Sequence, residues 1–85
     1  MTNLKLAQNP NTSPETLETL ATDENAYVRY LAATNPNTSP ETLATLATDE
    51  NAYVRRWVAQ NPNATELIRR LVLMTNKKSG SWTGT

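Results

Sequence analysis

Asn9-Pro10-Asn11-Thr12-Ser13-Pro14-Glu15-Thr16-Leu17 returns one step further on as Asn35-Pro36-Asn37-Thr38-Ser39-Pro40-Glu41-Thr42-Leu43, and an eroded third copy opens at Asn61-Pro62-Asn63. Asn9, Asn35 and Asn61 are evenly spaced, which sets a 26-residue period. The likeness runs beyond these nine residues. Segments 9–30 and 35–56 differ at two of 22 positions, Glu18 against Ala44 and Tyr30 against Arg56. A fixed period of this length marks a repeat architecture. Each unit is then one supersecondary element, which buries its apolar face only against its neighbours.

Inside the unit, Ser13-Pro14-Glu15 is a compact helix start. Serine caps, proline is pre-organised for the first helical position, and glutamate suits the positive helix end. The helix is expected to run to about Thr22, with Leu17, Leu20 and Ala21 on one face. Thr16, Thr19 and Thr22 make it a poor helix in isolation, so tertiary packing must hold it. Asp23 is the expected cap of a second helix reaching Thr34, with Asn25 as competitor, and Val28, Leu31 and Ala32 form its inner face. Asn35 precedes a proline, is pushed out of the helical region, and ends the unit.

The next unit repeats the plan over Pro40–Thr48 and Asn51–Gln60, with Leu43, Leu46, Ala47, Val54, Trp57 and Val58 as its core face. In the third copy, dropping one residue aligns Ala64-Thr65-Glu66 with Ser39-Pro40-Glu41. That sets Ile68, Leu71 and Val72 at the places of Leu43, Leu46 and Ala47. This last helix, ending near Asn76, reads as the closing cap, and Leu4 to Gln8 as an N-terminal helical turn over the first open face. The expected fold class is all-α: a short α-solenoid of about 2.5 repeats, two short helices in each. A helical repeat domain spans 1–76 and a flexible C-terminal tail 77–85.

Composition narrows the chemistry. The 85 residues contain no cysteine and no histidine, which removes thiolate nucleophiles, iron–sulfur ligation, the usual metal ligand and the commonest general base. The carboxylates have ready work at helix starts, and a thin stack offers little cavity, so the expectation is no enzyme, no cofactor and no metal. No apolar run approaches a membrane span and the start lacks a secretory signal, so the expected location is cytoplasmic, with no membrane partner. Charge is zero overall but unevenly placed. Residues 1–50 hold two cations against seven carboxylates, a balance of −5, and residues 51–85 hold six cations against Glu66, a balance of +5. In a stack, sequence order becomes spatial order, so one end is acidic and the other basic.

The pattern Asn-Pro-Asn-Thr-Ser-Pro-Glu-Thr-Leu-x-x-Leu-Ala-x-Asp-x-x-x-x-Val-Arg-x-x-x-Ala-x-Asn-Pro resembles the variant leucine-rich repeat, a bacterial family. The resemblance covers roughly residues 5–72 and carries onto scaffold positions, among them Asn9-Pro10, Leu17, Asp23, Val28, Arg29, Asn35-Pro36, Asp49, Arg55 and Asn61-Pro62. It implies short helices stacked in a right-handed superhelix akin to HEAT arrays, with one helix of each pair able to be 3₁₀. Family repeats are about two residues shorter than this one. Some relatives carry a cysteine-bound iron–sulfur module, for which this chain has no cysteine. The resemblance implies no activity; it looks like a binding scaffold.

Candidate binding residues follow from where the repeats vary. Scaffold positions recur, whereas Lys5/Leu31/Trp57, Tyr30/Arg56, Glu18/Ala44 and Thr34/Gln60 do not. Tyr, Trp and Arg dominate binding hot spots, so Tyr30, Tyr53, Arg56 and Trp57 form the first candidate patch, set against a reading as plain packing and solvent face. Arg69, Arg70, Lys77 and Lys78 make a basic end. Trp82 either folds back onto an apolar groove or anchors a partner. Arg29 and Arg55 are expected to tie units together through Asp23, Asp49 or corner carbonyls, and Asn9, Asn35 and Asn61 to make the corners. The expected function is an interaction scaffold for another protein. The alternatives are nucleic-acid contact through the basic C-terminal end and salt-dependent head-to-tail self-assembly into a homo-oligomer. Against nucleic acid, four to six cations in a chain of zero net charge are a weak footprint, and no reading element precedes them.

Overall fold

A computed structural model describes residues 2–78, and within them it is all-helical. The six α-helices among the described residues are α1 (Asn3–Gln8), α2 (Pro14–Leu20), α3 (Ala26–Thr34), α4 (Pro40–Leu46), α5 (Ala52–Gln60) and α6 (Glu66–Lys78). Trp82 and the rest of 79–85, most of the expected flexible tail, lie outside the described residues. Both helices of each unit are α, and α6 continues through Lys77 and Lys78, past the expected end at Asn76.

Local chemistry sets each boundary. Ser13 and Ser39 cap α2 and α4 as expected, each hydroxyl accepting from the backbone N–H three residues on. Thr2 does the same for α1, which makes the N-terminal turn a six-residue helix. The cap of α3 is Asn25 rather than Asp23: Asn25 Oδ1 accepts from the Tyr27 N–H at 2.9 Å. Asp23 is held in the preceding turn, where its Oδ1 accepts from the Asn25 N–H. Asp49 and Asn51 divide the same work in the next unit. α2 and α4 stop at Leu20 and Leu46, short of Thr22 and Thr48, whose hydroxyls bond back to Thr19 and Thr45 carbonyls. Such back-bonding offers the chain an alternative to further helix.

The third corner needs no deletion. Ala64 N–H donates to the Asn61 carbonyl as Thr38 does to Asn35, and Thr65 caps α6 as Ser39 caps α4. Ile68 and Val72 are the buried residues, and Leu71 is half-buried. Sequence matching favours a shifted alignment because α6 turns a different pair of apolar positions inward.

α1, α3 and α5 pack side by side as one row; α2 and α4 pack against it, and α6 closes it against α5 and α4. The core is the seam between the layers: Leu17, Leu20, Val28, Leu31, Leu43, Leu46, Val54, Val58, Ile68 and Val72, with Ala21, Ala32, Ala33 and Ala47 allowing close approach. Burying a Leu or Val side chain is worth about 1.5–3 kcal/mol, which offsets the weak helix propensity of the threonine-rich α2 and α4. The molecule measures 47 × 24 × 15 Å, a slab one helix pair thick. Trp57, expected in the core, is 37% exposed. An indole stands where the previous unit has Leu31, and it projects beyond the row that buries the leucine.

Candidate functional site

Three hydrogen-bonded ladders fix the spacing of the units, and the site lies on the row they align. The first runs through the corners. Asn35 Nδ2 donates to the Ala7 and Asn9 carbonyls at 2.8 and 2.9 Å, while its Oδ1 accepts from the Asn37 N–H. Asn61 repeats this one unit on, to Ala33 and Asn35 at 2.8 and 2.9 Å. Both side chains are buried, so the expected corner-making role holds and extends between units. The second ladder joins Asn37 Nδ2 to the Thr12 carbonyl and Asn63 Nδ2 to those of Thr38 and Pro36.

The third ladder is charged. Asn3 Nδ2 donates to Asp23 at 2.8 Å, and Arg29, at the same place one repeat on, grips Asp49 with Nε at 2.7 Å and Nη2 at 3.2 Å. The grip on Asp49 is the expected tie between units, and Arg29 Nη1 also donates to the Asp23 and Glu24 carbonyls within its own unit. The hydrogen bonds to Asp49 hold its guanidinium still more firmly protonated. The Asn25 backbone N–H, then the Asn3 carboxamide, hold the Asp23 carboxyl below the usual carboxylate range, with the Arg29 charge adding to them. Arg55 forms the last rung, with Nε to Asn76 Oδ1 at 3.0 Å and Nη1 to the Asp49 carbonyl.

On the row so aligned, α3 presents Tyr27 and Tyr30 one turn apart, and α5 presents Tyr53 and Trp57. Tyr27 and Tyr30 stack with ring centres 5.5 Å apart; Tyr30 meets the edge of Trp57 at 5.9 Å. With Ala26 and Asn51 these four rings line an open groove of about 470 Å³. Tyr53 stands at its rim, 67% exposed. Beyond it a second groove of about 340 Å³ is lined by Ala52, Tyr53, Arg55, Arg56 and Asn76.

The structure thus brings Tyr30, Tyr53 and Trp57 into one groove and sets Arg56 in the adjoining one. Arg69 and Arg70 lie apart on α6. Arg69 Nε donates to the Ala59 carbonyl, and Arg70 pairs with Glu66 at 3.1 Å. Sequence reasoning misses Tyr27, because the one-dimensional pattern does not show that it stacks on Tyr30 beside Trp57. It reads Arg55 only as a tie, since spacing does not show which rung lacks its acid.

The 26-residue unit can now be compared with known proteins. The family model described as leucine rich repeat variant matches residues 27–51, which run from Tyr27 in α3 across the corner and α4. Over that segment the chain is similar to a leucine rich repeat variant. No curated protein and no solved structure matches the chain. A repeat match over one unit is in keeping with the stacked helical units and the ladders that space them. No helix among the described residues is long and apolar enough to cross a membrane.

Proposed function

We propose that the chain is a protein-binding scaffold without catalytic activity, and that the aromatic groove on α3 and α5 is its binding surface. The observation that carries this is the placing of four rings in one open groove where two near-identical units differ. Tyr30 stands against Arg56 there, and Trp57 against Leu31. Tyr and Trp offer large contact area at small entropic cost, and they dominate interface hot spots.

The test places a photo-crosslinking side chain at Tyr53 and, as control, at Glu41 on α4. Adducts with another protein should form at Tyr53 alone. Trp57→Ala should weaken capture of that protein by about 2 kcal/mol, some thirtyfold. Equal crosslinking at both positions, or capture untouched by Trp57→Ala, would remove the groove from consideration.

A second reading is head-to-tail self-assembly, favoured by a specific juxtaposition at the ends. α6 leaves Leu67, Leu73 and Met74 exposed beside Arg70, whereas the groove between α1 and α2 holds Leu6 and Leu20 beside Glu15 and Asp23. Sedimentation velocity at low and high salt tests it.

A further inference from the structure

We infer that the groove beside Tyr53 is a carboxylate-binding site whose floor is the Arg55 guanidinium, so that the partner of the aromatic groove carries an acidic residue next to an apolar or aromatic one. This rests on the reading of the α3–α5 face as the binding surface.

The argument starts from the interruption of the charged ladder. Asn3, Arg29 and Arg55 hold one place in successive repeats, and Asp23, Asp49 and Thr75 hold another. Arg29 finds a carboxylate at the facing position; Arg55 finds Thr75 there, and its Nε bonds to the neutral carboxamide of Asn76 instead. Arg55 is only 7% exposed, at least as deep as Arg29, yet no carboxylate among the described residues pairs with it. A cation taken that far from water calls for a counter-charge. Its Nη2 has no acceptor among the described residues. No buried polar side-chain atom among them is left unsatisfied, so that nitrogen reaches solvent through the groove that Arg55 lines. Arg56 adds a second charge on the same wall.

Arg29 shows what this arginine geometry takes within the same fold: two oxygens of one carboxylate, on Nε and Nη2. Tyr53 lines both grooves, so a side chain in the aromatic one and a carboxylate in the basic one can belong to neighbouring residues of one segment. Charge complementarity therefore selects an acidic segment.

The test uses hexaglutamate as probe and the Arg55 Nε–H resonance as reporter, on the full chain at low salt. Hexaglutamate should shift that resonance and the Tyr53 ring signals saturably, and should leave Arg29 unmoved. Asn76→Asp, which supplies the missing acid within the chain, should raise the melting temperature by about 2–5 °C and cut the hexaglutamate response at least tenfold. The double variant Arg69→Gln/Arg70→Gln should keep the response, which separates this site from the basic end. An Arg55 resonance that does not move, or moves equally in Asn76→Asp, overturns the inference. So does a response to tripolyphosphate at matched charge with none to hexaglutamate, which would assign a phosphate ligand. If hexaglutamate binds as expected but Trp57→Ala leaves protein capture unchanged, the aromatic groove fails and the carboxylate site stands.

Discussion

Asn9, Asn35 and Asn61 show one residue type doing two jobs according to what stands before it. All three accept from a backbone N–H two residues on, which turns the corner. Asn35 and Asn61 also donate to the unit before, and they are 2% exposed where Asn9 is open to solvent. Leaving a buried carbonyl unsatisfied costs about 1–3 kcal/mol. Asn61→Ala should therefore lower unfolding free energy by about 2–4 kcal/mol, and Asn9→Ala by under about 1 kcal/mol, as read by urea denaturation. Similar losses at both sites would mean that the turn, and not the bond between units, is what matters. The corner itself was legible in the sequence, because Asn-Pro-Asn has local chemistry. The bond to the unit before was not, because its acceptors lie 26 and 28 residues away and are backbone atoms common to every residue type.

At the scale of elements, the α3 to α4–α5 junction depends on Arg29. The Arg29–Asp49 pair is shielded on both sides, with side chains 9% exposed, and the same guanidinium satisfies two carbonyls of the turn before α3. Removing one member of a shielded pair leaves the other uncompensated and typically costs about 3–5 kcal/mol. Arg29→Ala should then remove a large part of the stability of so small a domain, whereas Arg29→Met with Asp49→Leu should recover much of the loss. Thermal unfolding monitored by circular dichroism compares the three proteins. If the double variant is no better than Arg29→Ala, the carbonyl bonds outweigh the ion pair. The arginine and both aspartates were recognisable because they recur at the repeat period. That Arg29 takes Asp49, 20 residues on, and not the nearer Asp23 depended on the stacking.

At the scale of the whole molecule stands the second reading, head-to-tail self-assembly through the ends. The acidic α1–α2 end and the basic α6 end face opposite ways along a stack 47 Å long. Surface charges act over about 10 Å at 0.1 M salt and about 3 Å at 1 M. Association through charge should therefore appear at about 20 mM salt and vanish by about 500 mM. Heterologous contact of this kind builds chains or rings, because the two patches are different surfaces. A mass that stays multimeric at high salt would point to Leu67, Leu73 and Met74, and Met74→Lys would then return it to monomer. A monomer at both salts removes self-assembly. α6 leaves Leu67, Leu73 and Met74 exposed, unlike the polar outer face of a capping repeat.

The sequence by itself determined the repeat, its period, the serine caps, the Asn-Pro corners and the apolar faces, because each rests on neighbours within a few residues or on direct self-comparison. It also placed the charge split, which is a matter of counting along an ordered stack. Tertiary structure alone decided which face α6 turns inward and that Trp57 stands out of the core. In each case the deciding partner lies in another unit: α4 and α5 for the inward face of α6, and Tyr30 for Trp57. The candidate site divides the same way. Tyr30, Arg56 and Trp57 were visible as varying positions, but the gathering of Tyr27, Tyr30, Tyr53 and Trp57 and the rung at Arg55 without its acid arise only when helices of successive repeats lie side by side.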